Sequence, residues 1–73
     1  MSNQKTYTGK ELLNILKKIG FQDIRVKGSH HFIKHDDGRT TLVPVHSNED
    51  LGVGLLKKIL KDIELSSEDL ENI

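Results

Sequence analysis

The sequence predicts an α+β fold of two layers, with two helices covering one face of a three-stranded antiparallel sheet. Three observations carry that expectation. Apolar residues recur at helical spacing in two stretches, one in each half of the chain. Three short runs with strand character lie between them, the last two separated by an Asp-Gly turn. The resulting order, helix, three strands, helix, gives both apolar stripes one sheet face to bury against and leaves the other face to solvent or a ligand. With 73 residues, the chain fits one domain over residues 1–73. A domain of that size buries only roughly 60% of the surface its unfolded chain exposes, so a thin stability is expected.

The first helix begins at Thr8-Gly9-Lys10-Glu11, which reads as a capping box. The Thr8 hydroxyl can accept from the Glu11 amide while the Glu11 carboxylate accepts from the Thr8 N–H. Tyr7 and Leu12 stand where a hydrophobic staple belongs. Leu12, Ile15, Leu16 and Ile19 then form one stripe, and Gly20-Phe21 supplies the glycine and the closing apolar residue of a helix C-terminus.

The first strand is expected over residues 22–27, where Ile24 and Val26 alternate. Residues 29–35 and 40–45 flank Asp36-Asp37-Gly38-Arg39, and a two-residue turn on Asp37-Gly38 would close a hairpin. That register pairs Ile33 with Leu42, His30 with Val45 and Ser29 with His46. The second helix should start between Ser47 and Val53. Its stripe is Leu55, Leu56, Ile59, Leu60 and Ile63, with Lys57, Lys58 and Lys61 turned away. Ser66-Ser67-Glu68-Asp69 resembles another helix start, so Leu70 and Ile73 are expected to end a short third turn.

The chain has no cysteine, which excludes disulfides and thiolate metal sites and fits a reducing cytoplasm. The stretch before Thr8 is polar and unlike a signal peptide, and no run approaches the roughly 20 apolar residues of a membrane span. A soluble, cytoplasmic protein is expected. Charges are balanced overall but not along the chain. Residues 1–46 hold eight Lys/Arg against four Asp/Glu, and residues 47–73 hold three against seven. A basic body with an acidic tail suits a polyanion on one side and a different partner on the other, although solvated faces of ordinary helices produce the same pattern.

Four histidines in so short a chain admit three readings. Histidine is a common metal ligand, but no cysteine assists it here and the nearest carboxylates, Asp36 and Asp37, are required by the turn. Ring edges packed on a sheet would be purely structural. The third reading is acid–base chemistry on RNA, for which an imidazole titrating near ~6.5 suits removal of the ribose 2′-OH proton. The surroundings of His30 suit this last reading. Gly28-Ser29 offers backbone N–H groups and a hydroxyl to a phosphate, and Lys27, Lys34 and Arg39 supply cations. Phe32 and Tyr7 are the candidates for stacking a base, with Phe32 equally suited to a core. Alternation groups His30, Phe32 and Lys34 on one face and His31, Ile33 and His35 on the other. Lysine favours water and isoleucine the core, so the His30 face is expected to be the open one.

Taken in order, five segments resemble the HicA (YcfA-like) family of mRNA-interferase toxins. They are Lys10-Glu11-Leu12-Leu13 with Gly20-Phe21, Lys27-Gly28-Ser29-His30-His31, Asp37-Gly38-Arg39, Val43-Pro44-Val45-His46, and Gly54-Leu55-Leu56-Lys57-Lys58-Ile59-Leu60. The resemblance implies a fold like the double-stranded-RNA-binding domain. It also implies metal-independent endonucleolytic cleavage of mRNA by one essential histidine, without a cofactor, and neutralisation by a HicB-type antitoxin. The family's Gly-Ser-His falls on Gly28, Ser29 and His30, which gives His30 the catalytic role. Some relatives carry the histidine one place later, which keeps His31 as the alternate. The acidic stretch after Asp62 departs from the strongly basic character common in the family.

The expected activity is therefore that of an endoribonuclease leaving a 2′,3′-cyclic phosphate and a 5′-hydroxyl. Lys27, Gly28, Ser29, Lys34 and Arg39 are the expected RNA contacts, and no metal is expected. Two rivals stand beside it: a non-catalytic module of the double-stranded-RNA-binding type, and a pure interaction protein using the open sheet face.

Overall fold

A computed structural model describes residues 5–73; residues 1–4, included in the single-domain expectation, lie outside the described residues. The elements are α1 (Gly9–Lys18), β1 (Gln22–Lys27), β2 (His30–Lys34), β3 (Thr40–Pro44), α2 (Val53–Ile63) and α3 (Ser67–Glu71). The strands form one antiparallel sheet in the order β1-β2-β3. The helices lie on one face, so the architecture is the two-layer α+β arrangement expected and is consistent with a double-stranded-RNA-binding-domain-like fold.

Local chemistry accounts for the helix ends. The Glu11 amide donates to the Thr8 hydroxyl at 3.1 Å and the Thr8 N–H to the Glu11 carboxylate at 2.9 Å, completing the capping box. At the other end the Phe21 N–H reaches the Leu16 carbonyl at 3.1 Å and the Gly20 N–H the Lys17 carbonyl at 3.2 Å. This Schellman pair requires Gly20 in the left-handed region, at φ 103°. Ser66 and Asp69 build a second capping box at α3.

The core is made by Leu12 and Leu16 of α1, Ile33 of β2, Val43 of β3, and Ile59 and Ile63 of α2, all at most 1% exposed. Tyr7, Leu13, Phe21, Leu51 and Leu70 extend it. Both long helices pack on β3. Every residue of β1 is exposed, Ile24 at 57% and Val26 at 53%. Leu55 departs from the expected α2 stripe, being exposed, and α3 ends at Glu71, short of Ile73. The N-terminus of α1 is pressed onto β3, where a Cβ on Gly9 would collide with the Pro44 carbonyl.

The hairpin register is a correction. His35 and Arg39 close it, with the His35 N–H donating to the Arg39 carbonyl at 2.9 Å, so the loop holds three residues, Asp36-Asp37-Gly38. Gly38, at φ 100°, takes the left-handed position that ends such a loop, where a two-residue turn on Asp37-Gly38 was expected. One more residue in the loop shifts the pairing by one. Ile33 faces Thr41, Phe32 faces Leu42 and His30 faces Pro44. Ser29 meets Val45, whose N–H donates to its carbonyl at 2.7 Å. The slip puts Val43 in the core and Leu42 on the open face.

Candidate functional site

The site grows from the turn between β1 and β2. Lys27 and His30 face each other across it, and Gly28-Ser29 is the two-residue loop that joins them. Gly28 adopts φ 58° while Ser29 does not enter the left-handed region, the pattern of a type II′ turn with glycine in its first central position. A Cβ on Gly28 would meet nothing within 4 Å, so its conformation and not its surroundings calls for glycine. Neither the Gly28 nor the Ser29 N–H donates to another main-chain group among the described residues. Both amides remain available to an anion at this corner.

Beside the turn lies the open sheet face. His30, Phe32 and Lys34 are exposed along β2, and Ile33 between them is buried, as alternation required. Lys27 faces His30 from β1, and Pro44 flanks it from β3. Lys34 shares the face but stands four residues away, roughly 13 Å along the strand. The register of β1 shifts between Asp23 and Arg25, a bulge that sets Ile24 and Arg25 together against Phe32. Arg25 was not anticipated, although the two-residue turn on Gly28-Ser29 already implies its pairing with Phe32.

Two other expected residues go elsewhere. Arg39 is half-buried behind the hairpin loop. Its Nε donates to Asp37 at 2.8 Å, its Nη1 to the Ile63 carbonyl at 2.6 Å, and its guanidinium lies 5.2 Å from the Phe21 ring centroid. It is not brought to the His30 group. Tyr7 is 4% exposed and belongs to the core, so it offers no stacking surface.

The remaining histidines differ by environment. The His31 side chain is half-buried on the helix-covered face, with Nδ1 3.2 Å from Asp23 Oδ1. Lys17 of α1 holds the other carboxylate oxygen at 3.0 Å. Burial alone would raise the Asp23 pKa, but the bonds from Lys17 and His31 outweigh it and hold the carboxyl below its ordinary range. His35 receives the Asp37 N–H on Nδ1 at 3.1 Å, so Nε2 carries the proton given to the Ile19 carbonyl at 2.9 Å. Its ring meets Phe21 edge-on, with centroids 5.0 Å apart. His46 is exposed beside Thr8, Lys10 and Asn14, in a shallow depression away from the core.

Among the described residues no three His, Cys, Asp or Glu side chains converge on one point. No described helix is long and apolar enough to cross a membrane. What the arrangement offers is an exposed imidazole at a strand end, a lysine opposite, two free amides at the adjoining turn, and an apolar and cationic surface alongside. Residues 9–65, which include every element from α1 to the end of α2, match the family model described as the HicA toxin of bacterial toxin-antitoxin. No curated protein matches the chain.

Proposed function

The chain belongs to the HicA family of toxins of bacterial toxin–antitoxin systems, and from that premise we propose that it is a metal-independent endoribonuclease that cuts mRNA and is silenced by a HicB-type antitoxin. The observation that carries the reading is the exposed His30 facing Lys27 across a turn with two free amides. His30 removes the proton of a ribose 2′-OH. The freed oxygen attacks the adjacent phosphorus, the bond to the 5′ oxygen breaks, and that oxygen takes a proton from solvent. A 2′,3′-cyclic phosphate and a 5′-hydroxyl result. Lys27 and the Gly28 and Ser29 amides meet the charge that builds on the phosphate. Lys34 holds RNA further along the same face, and residues 1–73 act as one RNA-binding and RNA-cutting domain in the cytoplasm.

His31 remains the alternate, because a carboxylate on Nδ1 orients an imidazole and leaves Nε2 free for proton transfer. The test is cleavage of a labelled RNA in EDTA by the parent chain, His30→Ala and His31→Ala. His30→Ala is expected to lose about 10²–10⁴-fold in rate and to keep its thermal midpoint. Loss in His31→Ala alone moves the role one residue along. Full activity in both variants removes the single-histidine mechanism, and RNA bound but never cut favours a non-catalytic module of the double-stranded-RNA-binding type.

A further inference from the structure

Resting on the RNA-cutting role, we infer that the open sheet face selects unpaired RNA by stacking one base on the exposed ring of Phe32. Three observations point there. Phe32 lies at the centre of the face, 36% exposed, with Leu42 of β3 opposite it at 37% and Ile24 of the β1 bulge beside it at 57%. Three large apolar side chains thus span all three strands on the side the helices leave bare.

The charge around them has one sign. Arg25 faces Phe32, Lys27 faces His30, and Lys34 closes β2. None of the three forms an ion pair among the described residues. The acidic residue of β1, Asp23, is paired on the opposite face with Lys17 and His31. An apolar centre ringed by free cations complements a polyanion that also presents flat apolar surfaces. Unpaired RNA is such a molecule, whereas a duplex hides its base faces within its own stack.

Spacing links the platform to the chemistry. Phe32 and His30 are two residues apart on one strand face, roughly 6.5 Å. That is about the length of one nucleotide, so a base on Phe32 delivers the neighbouring ribose-phosphate to His30 and Lys27. Substrate preference then follows from strandedness and stacking, and only weakly from base identity, since every base has a π-face.

The experiment measures binding on a His30→Ala background, so that the RNA survives. Its probes are a labelled unpaired oligoribonucleotide and a blunt duplex of equal length. The unpaired probe should bind tighter, and Phe32→Ala should weaken it by about 5- to 100-fold while leaving duplex affinity unchanged. The chain has no tryptophan, so Phe32→Trp provides a fluorophore without background. It should retain affinity and be quenched by the unpaired probe. Preference for the duplex, Phe32→Ala binding like its parent, or an unquenched Phe32→Trp complex overturns the stacking inference. Cleavage by the unaltered chain is followed in parallel. Cleavage that persists without dependence on Phe32 removes the inference alone, whereas a chain that neither binds nor cuts RNA removes the enzymatic role with it.

Discussion

The four histidines divide by what their ring nitrogens meet, and the division separates a ring that ties elements together from one that ties none. His35 has both nitrogens engaged, one by the Asp37 amide and one by the carbonyl of Ile19, the C-cap of α1, so it joins the hairpin loop to the end of that helix. Gly20 leaves room for it, since a Cβ there would stand 3.0 Å from Nε2. His30 has no such partner among the described residues and supports no neighbouring element. The two should therefore respond oppositely to truncation. His35→Ala gives up two hydrogen bonds and the edge contact with Phe21, a loss of about 2 kcal/mol, read as a fall of roughly 10 °C in the thermal midpoint. His30→Ala should leave the midpoint unchanged. A His35→Ala protein as stable as its parent would show that the hairpin holds α1 without the ring. Strand alternation made the faces of His30, His31 and His35 legible in advance, because it is a property of a single strand. The Asp23–His31 contact and the burial of Arg39 were not legible. They depend on where a bulge and a loop carry groups distant in sequence.

At the scale of elements, the hairpin loop is also a clamp on both long helices. His35 takes the carbonyl at the end of α1, and Arg39 takes that of Ile63 at the end of α2, where a donor or a positive charge favours the helix dipole. Three carboxylates stabilise these junctions, Asp23 and Asp62 between a helix and the sheet and Asp37 within the hairpin. Asp37 is held below its ordinary pKa first by the Arg39 backbone N–H and then by the Arg39 side chain. Asp62 is lowered first by the Thr41 hydroxyl, which donates to it at 2.9 Å from β3, and then by Lys58, while desolvation pulls the other way. Asp23 joins α1, β1 and β2 and is lowered as well. A carboxyl whose folded pKa lies below its unfolded value of about 3.9 adds stability that is complete above that value. The stability is lost as pH falls through the folded pKa. Thermal midpoints measured from pH 6 to pH 3 should thus decline below about pH 4. Replacing Asp23, Asp37 and Asp62 together by Asn should lower the midpoint at pH 6 and flatten that decline. An unchanged acid slope in the triple variant would assign it to other groups. Helix positions and strand identities were readable because capping boxes, glycine ends and alternation are local. The hairpin register was not, since Asp36-Asp37-Gly38 accommodates both a two-residue and a three-residue loop. Packing of Val43 and Thr41 under the helices selects the second.

Over the whole molecule, the two layers divide the labour. The helices take the apolar burial, and the sheet keeps a bare face with Arg25, Lys27, His30 and Lys34 around an apolar centre. The negative surplus of residues 47–73 comes from Glu49 and Asp50 before α2, Glu64 after it, and Glu68, Asp69 and Glu71 of α3, none of them on the strands that form that face. A toxin of this shape is most directly silenced where RNA would enter. A HicB-type antitoxin is therefore expected to lay acidic or polar residues over the His30 face and exclude RNA by bulk and by charge. Because it binds the folded chain, it should also stabilise it, by about 4 kcal/mol at a thousandfold excess over Kd. Titrated into a cleavage reaction, it should reduce cutting in proportion to the complex formed. Amide exchange should slow along β2, most visibly from His30 to Lys34. The helix-covered side would show little local change beyond the general stabilisation. If cleavage stops while the edge amides of β1 and the turn at Gly28-Ser29 exchange as freely as before, the antitoxin acts from the helical layer. The acidic residues of α3 would then be the place to look for its contacts, and the covering arrangement would be abandoned.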